Sequence, residues 1–420
     1  MDRLLLQHGT VIDTEPVAVH TDTDVLIENG RIAAVGPGLD AAGAEVVDAT
    51  DRIVAPGFVD THRHGWQSVL RATAMDLDLM EYMSLLNGQV APTLQPADLA
   101  VAAELTGLEC LDAGITTLQD YAHIVYSPAH ADAVVGGLQA SGVRATFGYS
   151  QPVFATAEQW RADDARRVRE RLLPDDDALV TMVLAAMGPS FAAPEVVETE
   201  WKLAAELGVR LVTHVGATAD VPNPIALLGE RGLMREGTLY VHGNTLTDED
   251  LRLIAGSGGT LSITPAIEAR MNIGAPTLGR TRRFGVTAGL GVDVVTSGPG
   301  DLFSVMRAAL MSEDVSDGER VPVADVLALA TLGGAAAMGM QDRVGSLRPG
   351  KQADIVLLRT DDVSTVSGHN PIGTVVSAHP GVVDAVLVAG RFVKRDGRLL
   401  HGRVGEVVAG AKKIAARLAG

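Results

Sequence analysis

Two histidines one residue apart, His62 and His64 in FVDTHRHGWQ (58–67), are the side chains of this sequence best placed for chemistry. In a β-strand, side chains alternate between faces, so residues i and i+2 point the same way. The two imidazoles then stand side by side with Arg63 facing away, and such a pair can hold a metal ion. Further ligand-type residues end other apolar runs: His214 in LVTHVG, His242 in LYVHGN and Asp293 in LGVDVVTSG, with Asp120 and His123 in GITTLQDYAH. Three imidazoles and a carboxylate suit one divalent transition metal, Zn²⁺ foremost or Fe²⁺, with one position left for water. A metal so held lowers the pKa of its water to roughly 7 and yields a hydroxide nucleophile near neutral pH. Asp293 is expected to bind the metal weakly and to take a proton from that water. His242 is expected to polarise the substrate or stabilise an oxyanion. A lone histidine at a strand end is usually structural; ligand types at the ends of several strands make the case for a metal.

Side chains so far apart in sequence meet only if a fold gathers strand ends. From IVAPGFVDTH onward, short apolar strands alternate with longer Ala- and Leu-rich helical patterns. Eight strand candidates follow in order: GFVDTHRH, GITTLQDY, RATFGYS, VTMVLAAM, VRLVTHVG, TLYVHG, GTLSITP and TAGLGVD. Near-continuous apolar strands alternating with helices predict a parallel sheet covered on its outer side. Eight such units predict an α/β fold, a closed (β/α)8 TIM barrel over residues 55–344, with its active site at the C-terminal strand ends. PADLAVAAELTGLECLDAG and APEVVETEWKLAAELG, both spaced near 3.6 and closed by Gly, are among the helices.

The two ends of the chain read differently. DRLLLQHGTVID, DVLIENGRIAAVG and AEVVDATDRIVAPG are β-branched runs broken by Gly, Asn and Asp, and ENG supplies the Asn-Gly of a tight hairpin. Strand patterns return in ADIVLLR, TVVSAH and VDAVLVAGRFVKRDGRLL. Residues 1–54 and 345–402 are therefore expected to form one composite β-sandwich beside the barrel, followed by a C-terminal helix over 403–420.

Composition narrows the function classes. Of 420 residues, 47% are hydrophobic and 20% charged, ordinary for a globular enzyme, but only 4% are aromatic, so Ala, Val, Leu and Ile must build the core. A net charge of −18 disfavours nucleic-acid binding and polyanionic substrates. The single cysteine, Cys110, excludes an intramolecular disulfide and a cysteine-based zinc cage. There is no signal-peptide pattern and no run of about 18 apolar residues. A cytoplasmic protein without a membrane span is expected.

The motifs resemble those of the amidohydrolase superfamily over nearly the whole chain. VAPGFVDTHRH resembles its first-strand metal motif, THVG its fifth strand, and YVHGNTLTDEDLRLIAGSG its sixth strand and following helix. GVDVVTSGPGDLFSVMR resembles the eighth strand, and VGSLRPGKQADIVLL the return to the β-sandwich. Within the superfamily the branch of cytosine, guanine and S-adenosylhomocysteine deaminases and triazine hydrolases is most similar. The resemblance implies a single metal held by His62, His64, His214 and Asp293, with His242 near the substrate. The fourth strand end, VLAAMGPSF, offers no lysine for a carboxylated bridge between two metals. One departure stands out. Deaminases of this branch carry a proton-shuttling glutamate three residues after the fifth-strand histidine, and here that position is Ala217. Glu268, in ITPAIEARM, is a candidate replacement acid or base; the plainer reading is a surface glutamate paired with Arg270. Asp220 is a weaker candidate.

The segment GWQSVLRATAMDLDLMEYMSLLNGQVAP is expected to cover the site. Trp66 and Gln67 directly follow the ligands and are expected to touch substrate, with His123 and His242. Met75, Met80, Tyr82 and Met83 would line an apolar wall, suiting a neutral, flat or apolar molecule. Arg71 and Arg307 are expected in structural ion pairs. The sequence points to a metal-dependent hydrolase acting on a C–N or similar bond of a small cyclic or amide-like molecule. Two alternatives stay open: deamination of a heterocycle through a replaced proton shuttle, and a degenerate metal-bearing binding protein. The expected partner is a small molecule, with a homodimer left open.

Overall fold

A computed structural model describes residues 3–154, 161–217, 224–316 and 321–419. Eight parallel strands form one sheet in sequence order. They are Phe58–Arg63, Ile115–Ala122, Arg144–Tyr149, Val180–Ala186, Leu211–Val215, Leu239–His242, Thr260–Ile263 and Thr287–Leu290. Nearly every residue in them is buried, as in a sheet filled on one side by barrel side chains and covered on the other by helices. The covering helices start where the sequence signals them. Pro194–Leu207 begins on its proline and ends on Gly208 in the left-handed conformation, φ 64°.

The barrel closes through the residues that matter most. The first and eighth strands meet in a single parallel bridge between Arg63 and Asp293. Asp293 N donates to His62 O at 2.8 Å and His64 N to Asp293 O at 2.9 Å. Gly291 permits this approach: a Cβ there would stand 3.0 Å from the His62 Cβ, the His62 carbonyl and Ser262 Oγ. Beneath the seam lies the Asp60 carboxylate. It accepts from Val292 N at 3.0 Å, His62 N at 3.3 Å and Arg63 Nε at 2.9 Å. One buried side chain thus ties the strand bearing the histidines to the loop bearing Asp293.

The ends of the chain share a second, nine-stranded sheet. Its centre is the antiparallel pairing of Arg52–Pro56 with Ile355–Arg359. The hairpin between Val17–Glu28 and Arg31–Gly36 turns at Asn29 and Gly30, both with positive φ (51° and 77°), as its Asn-Gly required. A buried bidentate pair, Arg144 to Asp354 at 2.8 and 3.0 Å, links the third barrel strand to this sheet. TVVSAH, expected as a strand, belongs instead to a helix, Pro371–Ser377. Pro371 opens it and Asn370 Oδ1 caps it by accepting from Gly373 N at 3.2 Å. These start signals override the β-branched Val375 and Val376, which are buried. A terminal helix runs Val404–Ala419. Among the described residues no helix is long and apolar enough to cross a membrane.

Candidate active site

The strand ends bring five of the expected side chains into one cluster. His62 Nε2 lies 3.2 Å from His214 Nε2 and 3.4 Å from Asp293 Oδ1, and His64 Nε2 lies 3.4 Å from the same oxygen. His242 Nε2 is 3.9 Å from Asp293 Oδ2. His62 is fully buried, and His64, His242 and Asp293 nearly so. Two of these residues sit in left-handed backbone, His242 at φ 73° and Asp293 at φ 67°. Non-glycine residues are held there only when their surroundings enforce it.

Burial and the neighbouring imidazoles hold His64 and His214 well below the ordinary histidine pKa, so both rings are neutral. Burial opposes the charge on Asp293, yet hydrogen bonding and attraction from the histidines hold its carboxyl below the usual carboxylate range. His64 Nδ1 donates to Tyr121 O at 3.0 Å, which leaves Nε2 as a bare lone pair. Two facing Nε2 atoms 3.2 Å apart in a buried place call for a cation between them. Imidazole nitrogens bound tetrahedrally to zinc at about 2.1 Å lie about 3.4 Å from each other, so the spacing fits. His62, His64 and His214 present ligand atoms all within 4.8 Å of one another. The residues fit a single divalent metal, with Asp293 the natural fourth group.

Above the cluster lies a cavity of about 620 Å³, part of it open to solvent. The histidines and Asp293 are its floor, and Leu79, Met83, Val153, Met187, Phe191, Met271, Ile273 and Val294 are among the residues that line the rest. The segment after the first strand does cover the site, through Leu79, Tyr82 and Met83. Met75 and Met80 are largely exposed instead. Trp66 and Gln67, expected to touch substrate, lie one layer back and do not line the cavity. Each fixes a residue that does. Trp66 Nε1 donates to His123 Nδ1 at 3.2 Å, so the His123 proton sits on Nε2. Gln67 Nε2 donates to the Tyr82 hydroxyl. Burial pushes the His123 pKa down to about 4, keeping that ring neutral. Asp120 accepts from Gly65 N at 2.9 Å and so fixes the turn after His64.

Glu268 is neither on the surface nor paired with Arg270, which reaches Asp76 at 2.9 Å. It is fully buried behind His242, outside the cavity lining. Its Oε1 accepts from Thr264 N at 2.9 Å and lies 3.4 Å from His242 Nδ1. Burial opposes a charge on His242, but the Glu268 hydrogen bond and the two nearby carboxylates raise its pKa. This geometry sets Glu268 against the His242 ring, where it can orient it. Glu268→Gln should lower kcat by about ten- to a hundredfold, with KM and metal content nearly unchanged. Near-normal turnover would leave Thr264 alone to orient the ring. Asp220 lies outside the described residues. Ala217 lines the cavity, so no carboxylate faces the substrate from that position.

Arg71 pairs with Glu109 at 2.6 Å, and Arg307 donates to Ser304 Oγ at 2.9 Å and to the Ala378 carbonyl. Sequence reasoning missed Asp60, although the i, i+2 spacing that aligned His62 and His64 extends back to it. It also missed Thr264, a strand-end hydroxyl 3.1 Å from His242 Nδ1.

The chain matches the model of the amidohydrolase family over residues 53–393. It is 31% identical to a 5-methylthioadenosine/S-adenosylhomocysteine deaminase of Symbiobacterium thermophilum, over all of this chain and 99% of that one. A deaminase of the same description from Desulforudis audaxviator is 32% identical over 99% of both chains. Among solved structures, a zinc-bound adenosine deaminase from Xanthomonas campestris is 26% identical with a TM-score of 0.88, covering 99% of this chain and 98% of that one. The zinc complex of atrazine chlorohydrolase from Arthrobacter aurescens shares the fold at 22% identity, with a TM-score of 0.87 and coverage of 98% and 100%.

Proposed function

The chain belongs to the amidohydrolase family, and we propose that it hydrolyses the bond between a ring carbon and an exocyclic nitrogen in a small heterocycle. It is a metal-dependent hydrolase of C–N bonds in small heterocyclic or amide molecules. The observation that carries the reading is the convergence of His62, His64, His214 and Asp293 at the floor of a cavity.

His62, His64 and His214 would hold the metal, with Asp293 beside them. When bound there, a divalent metal supplies Lewis acidity and lowers the pKa of a water. Asp293 Oδ1 faces His62 and His64, while Oδ2 faces His242 and, at 3.5 Å, Thr264 Oγ1. Oδ2 is therefore the oxygen free to take the proton of the attacking water. His242 has its Nδ1 side occupied by Glu268 and Thr264, so Nε2 is the atom it presents to substrate. It stabilises charge developing on the ring and hands a proton to the departing nitrogen. That assignment fills the role left vacant at Ala217. The relatives' deaminase descriptions support ammonia or an amine as the leaving group.

A small molecule, rather than a nucleic acid, is the partner in keeping with the net charge of −18. The single thiol, Cys110, free and buried, supports a reducing, cytoplasmic setting. Assembly as a homodimer belongs to the same proposal. The test is metal content by elemental analysis of protein purified without chelator, beside His62→Ala. About one equivalent of zinc or iron, absent from the variant, is expected, together with metal-dependent amine release from aminated heterocycles. Failure of the wild-type protein to take up metal would sink the reading.

A further inference from the structure

The cavity differs from what a sugar-bearing substrate needs. A nucleoside brings a diol, and S-adenosylhomocysteine adds an amino acid with both charges. Each of those groups requires a partner when buried, and an unpaired hydroxyl costs about ten- to a hundredfold in affinity. Among the described residues the lining contains no Arg, Lys, Glu, Asn, Gln, Ser or Thr. Its one carboxylate, Asp293, is engaged by the histidines. Away from that floor the described lining is Leu, Met, Val, Ile, Ala and Phe, with the two tyrosines Tyr82 and Tyr121.

The polar atoms offered above the floor are donors. Tyr82 lines the cavity and is nearly fully buried. Thr296 Oγ1 donates to Gln67 Oε1 at 3.1 Å, which turns Gln67 Nε2 toward the Tyr82 oxygen. The neighbouring Asn87 amide instead donates to the Met83 sulfur at 3.4 Å. With its oxygen accepting, Tyr82 keeps its own hydrogen to give. His123, with Nδ1 taken by Trp66, likewise offers Nε2–H. Two fixed donors above a nucleophile match ring-nitrogen acceptors near an amino-bearing carbon.

We propose that the cavity selects an uncharged heteroaromatic amine with apolar substituents over a nucleoside, and that Tyr82 is a specificity residue donating to an acceptor on that ring. The inference rests on the hydrolase reading and narrows its substrate. In the reaction, water oxygen bonds to the ring carbon and the C=N electron pair moves to the ring nitrogen beside the donors. One water proton goes to that ring nitrogen; the C–N bond to the amino group then breaks, and the NH2 leaves with the second water proton as ammonia, giving the ring lactam.

A matched pair isolates the substituent: 9-propyladenine and adenosine share the amino-bearing ring and differ in the arm. Calorimetry on the zinc-loaded protein should show 9-propyladenine bound at least about tenfold more tightly. Tyr82→Phe should weaken its binding about tenfold, with zinc content and thermal midpoint unchanged. Equal or tighter binding of adenosine, or binding of neither, would overturn the substrate class. Unchanged affinity in Tyr82→Phe would remove that residue from it. Ammonia release is measured separately: release from adenosine with preferential binding of adenosine overturns this inference while leaving the hydrolase standing. Preferential binding of 9-propyladenine supports the inference even where no ammonia appears, an outcome that counts against the hydrolase reading alone.

Discussion

Asp293→Asn should cut kcat by about three orders of magnitude while the barrel still folds. The amide keeps the carboxylate's size and can accept one hydrogen bond, but it has no basic oxygen to take a proton. The loss should lie in kcat, because Oδ2 faces His242 and Thr264 across the reacting position. Metal affinity should fall as well, since Oδ1 lies 3.4 Å from both His62 Nε2 and His64 Nε2. The two effects separate when turnover is measured per bound metal over a zinc titration. A variant that regains full turnover at saturating zinc would make Asp293 a ligand only and leave proton transfer to another group. His242 would then be next, its Nε2 lying 3.9 Å from Asp293 Oδ2.

The site was readable in sequence to the extent that strand ends were. A barrel strand is short and apolar, and a polar residue at its last position has one place to go. This is why His214, His242 and the pair His62 and His64 could be placed without tertiary information. The supporting layer was not readable in the same way. Gln67 and Tyr82 are partners across 15 residues of turns between two short helices, and in a stretch rich in Met the tyrosine reads as apolar wall. Glu268 looked paired because Arg270 is two residues away. The short helix Pro265–Arg270 turns the glutamate inward behind His242 and sends the arginine out to Asp76. In TVVSAH, the valines favoured a strand on propensity alone, while the preceding Asn-Pro start signal went unweighed. Propensity is a weak prior where a cap and a proline agree against it.

Arg63→Met should be the most destabilising single change near the site, about 3 kcal/mol or more. Arg63 is buried and divides its guanidinium among Asp60 Oδ2 at 2.9 Å, Glu109 Oε2 at 3.2 Å and the Gly300 carbonyl at 2.6 Å. Glu109 has a second partner in Arg71, so it tolerates the loss. Asp60 does not: it is fully buried, and without the arginine it keeps only the Val292 and His62 backbone N–H groups. An uncompensated buried carboxylate costs more than the pair contributes. Asp60→Asn on top of Arg63→Met should therefore recover part of the loss, because the neutral amide still accepts from those N–H groups. Thermal midpoints of metal-free protein, where metal binding adds nothing to stability, should rank wild type above the double variant and the double above Arg63→Met. An equal midpoint for the two variants would show that the lost packing of the guanidinium, not the stranded charge, sets the cost. Both should bind zinc more weakly, because Asp60 ties the His62 strand to the Asp293 loop. The seam that closes the barrel is also the floor of the site, so loosening one loosens the other.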